Sequence, residues 1–300
     1  MSERVGVIAA VVSSSLGGMG AAATRYVIDV VDPVTLAAFR FGIGALLLVP
    51  VALAMRSPWP RGRDWLGAIG LGLLFFALFF VLYNVSLGYT TAARASLALS
   101  ALPLLTMVVA AVLGHERLTA RKTTGVLVAI GGVAFSLAAG LRAAPSGAWR
   151  GDLVMAGAAL CMALYTIWSR PFIARSAPLT FVAACMSAGA LCNLLLAALR
   201  GGFAVVERLD LAQWLAILYM GVFAAAVNFF LWVYALKRTT PTRVAATITV
   251  TPVTASLLAS VLVHEPIGLN LVLGVAAVGA GIWIASTEAR TPVPAAAARD

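Results

Sequence analysis

Apolar residues run along this chain in long stretches, separated by short clusters of arginine, aspartate, proline and glycine. None shows the two-residue alternation of a half-buried strand. An α-helix needs about 20 mostly apolar residues to cross about 30 Å of hydrocarbon. Read between charges and Pro/Gly breaks, the chain predicts ten such helices: 5–28, 33–55, 65–88, 93–114, 122–140, 151–173, 178–199, 212–236, 241–263 and 268–286. Their wealth of Leu, Ala, Val and Gly suits packed helices rather than a barrel of short strands. The expected fold class is an all-α polytopic membrane protein, with no soluble domain between spans. Segment 5–28 follows only a few residues and outruns a signal-peptide core, so it is expected to be retained. The tail 287–300 (TEARTPVPAAAARD) is short, Pro/Ala-rich and expected to be disordered on the cytoplasmic side.

Composition sharpens this picture. Hydrophobic residues make up 62% of the chain and charged residues 11%, against about 25% charged in soluble domains. Too little charge remains to cover a water-exposed surface. With the N-terminus inside, 14 of the 21 basic residues fall on inside segments. This bias places both termini in the cytoplasm of a cell whose inner membrane the chain spans. The net charge of +10 is that topology signal, scattered over short loops, and not a nucleic-acid patch. Cys161, Cys185 and Cys192 all fall within predicted helices and read as small apolar packing residues. The chain holds two histidines and no HExxH, P-loop or paired carboxylates, which argues against an enzyme and gives no reason to expect a metal or cofactor.

The two halves repeat. At an offset of 149, Trp65-Leu66 falls on Trp214-Leu215, Leu82-Tyr83 on Leu231-Trp232, Arg94 on Arg243, Pro103 on Pro252 and His115-Glu116 on His264-Glu265. Nearer the start the offset is 145, pairing Arg25 with Arg170 and Pro33 with Pro178. Charged and proline landmarks in register are not an accident of apolar composition. Residues 1–145 and 146–286 are therefore expected to form two five-helix repeats. Five is odd, so the second enters the membrane inverted, an arrangement transporters use for alternating access around a midplane site.

The run Leu102-Pro103, Leu113-Gly114-His115-Glu116-Arg117-Leu118-Thr119, Gly125 and Gly131-Gly132 resembles the fourth and fifth helices of the EamA family, in the drug/metabolite transporter superfamily. Pro252, His264-Glu265-Pro266, Gly274 and Gly281 repeat that pattern, and Arg40 matches the arginine of the family's second helix. The chain departs from the family in helix 1, with Gly17-Gly18-Met19-Gly20 where Trp-Gly-x-Asn is frequent. Overall it is most similar to the YddG-type exporters of aromatic and other neutral amino acids. The resemblance implies export of small neutral solutes.

Polar groups inside hydrocarbon are costly unless they face the bundle interior. The candidate substrate contacts are therefore Tyr83, Asn84, Ser100, Tyr165, Trp168, Asn228 and Trp232. Trp59, Trp65, Trp149, Trp214 and Trp283 suit interfacial anchors instead. For Tyr83, Trp168 and Trp232, pocket and anchor compete evenly, and for the asparagines the competing role is an interhelical hydrogen bond. Pro103 and Pro252, each flanked by hydroxyls, are candidate gating hinges or fixed kinks. Arg40 is expected to be ion-paired or snorkelling, with attraction of a carboxylate as the alternative. All eleven acidic residues map to loops, termini or helix ends, so tight proton coupling is not expected. The alternative reading is a broad-specificity drug/metabolite exporter coupled to a proton gradient. Small residues at four-residue spacing (Ser14/Gly18/Ala22) suit close packing in a monomer or weak homodimer.

Overall fold

A computed structural model describes residues 2–99, 102–113, 146–264 and 268–286, with a few positions between 120 and 135. Regular structure among these residues is entirely helical. The first helix, α1, spans Ser2–Val27. Helix α2, Pro33–Ala54, starts where the Asp32 carboxylate accepts from the Val34 and Thr35 N–H groups and Pro33 supplies a preset φ. Helix α3 spans Asp64–Tyr89, with a π-helical stretch at Leu73–Phe79. Two short helices follow, α4 at Ala92–Leu99 and α5 at Leu102–Val112. Helix α6, Ala148–Arg175, loosens at Ser169, and α7 spans Pro178–Leu199. A capping box of Asp210 and Gln213 opens α8, Leu211–Leu236, which has its own π-helical stretch at Val222–Val227. Helix α9, 241–262, passes through a 3-10 turn at Thr247–Val250, and α10 spans Leu269–Ser286.

Six of the ten expected spans are present as single helices long and apolar enough to cross a membrane: α1, α2, α3, α6, α7 and α8. The expected spans 241–263 and 268–286 are occupied by α9 and α10, and 93–114 by α4 and α5. Most of the expected span 122–140, and all of the tail 287–300, lie outside the described residues.

Polar ties set which helix ends meet. Asn84 Nδ2 donates to the Pro33 carbonyl (2.9 Å), joining the end of α3 to the start of α2. At that same end, Arg94 of α4 binds Asp152 near the start of α6 (2.7 Å). At the other end Arg175 of α6 pairs with Asp64 of α3 (2.7 Å), and Arg243 of α9 pairs with Glu3 of α1. Helices α1 and α6 thus start from opposite ends of the bundle.

The packing has a matching exchange. Helices α2 and α7 run side by side, while α1 packs against α8 and α9, and α6 against α3, α4 and α5. Each half's first helix is seated in the other half. Two glycines permit the closest approaches: a Cβ at Gly18 would overlap the Thr251 carbonyl, and one at Gly72 the Cys185 carbonyl. Backbone cannot yield as a side-chain tip does. Gly72→Ala is therefore expected to cost about 1–3 kcal/mol, read as a lower melting temperature in detergent. Gly70→Ala, whose added Cβ meets nothing within 4 Å, should leave it unchanged; equal losses would contradict the close-packing role.

Candidate functional site

Where the first helices exchange, a cavity lies between the halves, about halfway along α1, from the middle of α3 onward and in the later part of α8. It is walled by Phe75, Phe79, Phe80 and Tyr83 of α3, by Phe229 and Trp232 of α8, and by Met162 of α6. Phe75, Phe79 and Tyr83 follow one another at four-residue spacing and so share a helix face. Phe229 stands edge-on to Phe75 (5.2 Å, 86°) and to Phe80 (5.6 Å, 82°). These are favourable aromatic geometries, and they form a continuous apolar wall.

The π-helical stretches help build it. A π turn bonds i to i+5, an arrangement often found at functional sites. In both stretches a carbonyl takes a side-chain donor from another helix. Asn193 Nδ2 of α7 donates to the Phe76 carbonyl (2.9 Å), and Arg40 Nη2 of α2 to the Ala224 carbonyl (2.8 Å). The central pair α2 and α7 thereby grips α8 and α3 at their loosened turns.

Ser13, Ser14 and Gly17 of α1, Arg40, Asn228 and Thr251 lie on the polar side, and Leu99 and Ile248 complete the lining. Ser13 Oγ lies 2.5 Å from Asn228 Oδ1, and Asn228 Nδ2 donates to the Ala224 carbonyl (3.2 Å). Thr251 Oγ1 donates to the Ser14 carbonyl (3.2 Å). Among the described residues, no Asp or Glu lines the cavity. The cavity is narrow, with a volume of about 40 Å³. Sites for drug-sized ligands run from about 300 to 1,000 Å³, so a solute of amino acid size would fit here only after lining side chains swing back.

Of the residues singled out from sequence, Tyr83, Asn228 and Trp232 line the cavity. Asn84 is fully buried and bonded to the start of α2, outside the lining. Tyr165 lies one layer behind, stacked on Phe75 (4.3 Å, 14°). Trp168 is 43% exposed and away from the cavity. Ser100 lies outside the described residues. Pro103 is buried near the start of α5, and Pro252 follows the 3-10 turn of α9.

Arg40 differs from its expectation. It is only 2% exposed, so it does not snorkel, and no carboxylate pairs with it among the described residues. Phe75, Phe79, Phe229 and Ser13 escaped the sequence reading because plain phenylalanines and a lone serine look like packing in an apolar helix. The signal that could have found the first two was the four-residue spacing backward from Tyr83. A second, apolar groove lies on the outer side between α2 and α7, lined by Gly42, Leu46, Leu191 and Leu194 among others.

Comparison with known proteins agrees with this architecture. A protein of known crystal structure superposes with a TM-score of 0.66, covering 95% of this chain and 96% of its own at 23% identity, which shows a shared fold. A transporter of Archaeoglobus fulgidus is 26% identical over 89% of this chain and 93% of its own. A Streptantibioticus cattleyicolor protein named "Probable terminal-alkyne amino-acid exporter" is 31% identical, over 80% of each chain. The EamA-like transporter family matches residues 4–138 and again 149–287. With nearly the whole chain covered by two such matches, this protein is a membrane transporter, not an enzyme, and belongs to the EamA-like transporter family.

Proposed function

We propose that the chain exports small neutral solutes across the inner membrane, aromatic and other neutral amino acids foremost, as the YddG-type resemblance implies. The observation that carries this reading is the cavity itself. An aromatic wall faces polar groups at mid-depth, which suits a solute that is part ring and part zwitterion. The amino-acid exporter among the relatives is consistent with that substrate class. A lipophilic cation would want an anionic partner, and the described residues of the cavity lining offer none. For the same reason the cycle is proposed to run without tight proton coupling.

Alternating access by two inverted five-helix repeats is the proposed mechanism, with both termini cytoplasmic. Three features support it. The two π-helical stretches begin 149 positions apart, α1 and α6 start from opposite ends, and each seats in the other half. Pro103 and Pro252 are the proposed hinges. The ion pairs Arg94–Asp152 and Arg243–Glu3 relate by the same offset of 149 and bridge corresponding helices at opposite ends. We read them as latches that open in turn.

Counterflow in proteoliposomes tests the function. Vesicles loaded with unlabelled phenylalanine should accumulate labelled phenylalanine saturably without an ion gradient, blocked by tryptophan or methionine. Accumulation that requires an imposed pH gradient would overturn the uncoupled cycle, and none under either condition would overturn the substrate class.

The latches differ in burial, and this sets an order. The Arg94 and Asp152 side chains are 10% and 20% exposed, those of Arg243 and Glu3 43% and 50%. A shielded charged hydrogen bond is worth about 1.5–3 kcal/mol, an exposed ion pair about 0–1 kcal/mol. Asp152→Asn should slow exchange about tenfold or more, and Glu3→Gln by a few-fold at most. The reverse order, or no effect from Asp152→Asn, would contradict the latch reading.

A further inference from the structure

Among the described residues, Arg40 is the one charged side chain in the cavity lining, and no counter-charge lies beside it there. One nitrogen, Nη2, donates to the Ala224 carbonyl (2.8 Å), while Nε and Nη1 are buried with no acceptor. The guanidinium lies over the Phe80 ring (4.6 Å to the centroid) and near that of Phe41 (5.6 Å). These faces hold a cation in place but do not neutralise it. The described residues around it supply no anion. Helix α1 offers Gly20, whose added Cβ would stand 3.2 Å from Nη2, helix α3 offers Phe80 and Tyr83, and helix α8 offers Ala224. A buried guanidinium with unused donors, lining a cavity with no carboxylate, is complementary to an incoming one.

We propose that Arg40 is the anion-binding residue of the cavity, and that the solutes carried are carboxylates whose charged end docks on its free donors while their apolar body meets Phe75, Phe79 and Trp232. This rests on the cavity being the transport site, and it replaces overall neutrality by a carboxylate as the feature that defines the substrate class. A carboxylate is required; the α-amino group is a secondary feature, received by the Ser13–Asn228 pair. Arg40 thus ties α2 to α8 through Nη2 and offers its remaining donors to a ligand's charge.

The test is equilibrium binding by calorimetry to the purified full-length protein in detergent. The probes are phenylalanine, 3-phenylpropionate and 3-phenylpropanamide. The last two match in size and differ in charge. Wild type should bind 3-phenylpropionate more tightly than the amide by about thirtyfold or more, the scale of leaving a buried charge unpaired. Arg40→Gln should abolish that discrimination by weakening the acid and sparing the amide, and Arg40→Lys should keep part of it. Equal binding of acid and amide by wild type, binding of neither, or discrimination retained in Arg40→Gln would overturn the proposal. Should the glutamine variant fail to fold, the wild-type pair still decides. Tight 3-phenylpropionate binding with no phenylalanine binding would uphold the anion site and sink the amino acid reading separately.

Discussion

Hydrocarbon offers no partner to a polar side chain, and this constraint organises the interior. Whatever is polar at depth must be answered from another helix or from the cavity. Ser13 and Asn228 answer each other across α1 and α8, Thr251 answers the backbone of α1, and Asn193 and Arg40 reach into the π turns of α3 and α8. Nearly every such tie joins one half of the chain to the other. The exchange of α1 and α6 is thus held by polar contacts as well as by packing, and the cavity lies where these contacts converge.

Arg40 is the charged group for which the constraint is only partly met; Tyr165 Oη and Trp232 Nε1 are likewise buried without a partner. A guanidinium buried without a counter-ion costs on the order of several kcal/mol. The ring of Phe80 and the Ala224 carbonyl offset part of that cost. A protein that retains the remainder holds a positive charge ready for a ligand, in the manner of a preorganised site. The aromatic wall then discriminates by shape and area, and the charge by sign.

Helix positions were legible because spanning length and apolar runs are written directly in composition. Predicted 33–55, 178–199 and 212–236 differ from α2, α7 and α8 by no more than a residue at either end. The site was legible only where it carried polar or amphipathic residues, hence Tyr83, Asn228 and Trp232. Phe75 and Phe79 were hidden because a phenylalanine facing a cavity and one facing a neighbour look alike in a row of apolar residues. Trp168 misled in the opposite sense: its place well along α6 suggested depth, whereas α6 turns it outward, 43% exposed. The π-helical stretches leave no signature in residue type, so the change of register they introduce in α3 and α8 was not legible.

Central to all of this is that one mid-depth cavity receives the solute, with its charge on Arg40 and its ring on the aromatic wall. The most direct measurement is an experimental structure of the protein with phenylalanine bound. The expected result is a carboxylate within hydrogen-bonding distance of the Arg40 guanidinium and a ring against Phe75, Phe79 and Trp232. Phenylalanine lodged instead in the outer groove between α2 and α7, or bound in the cavity with its carboxylate turned away from Arg40, would contradict it.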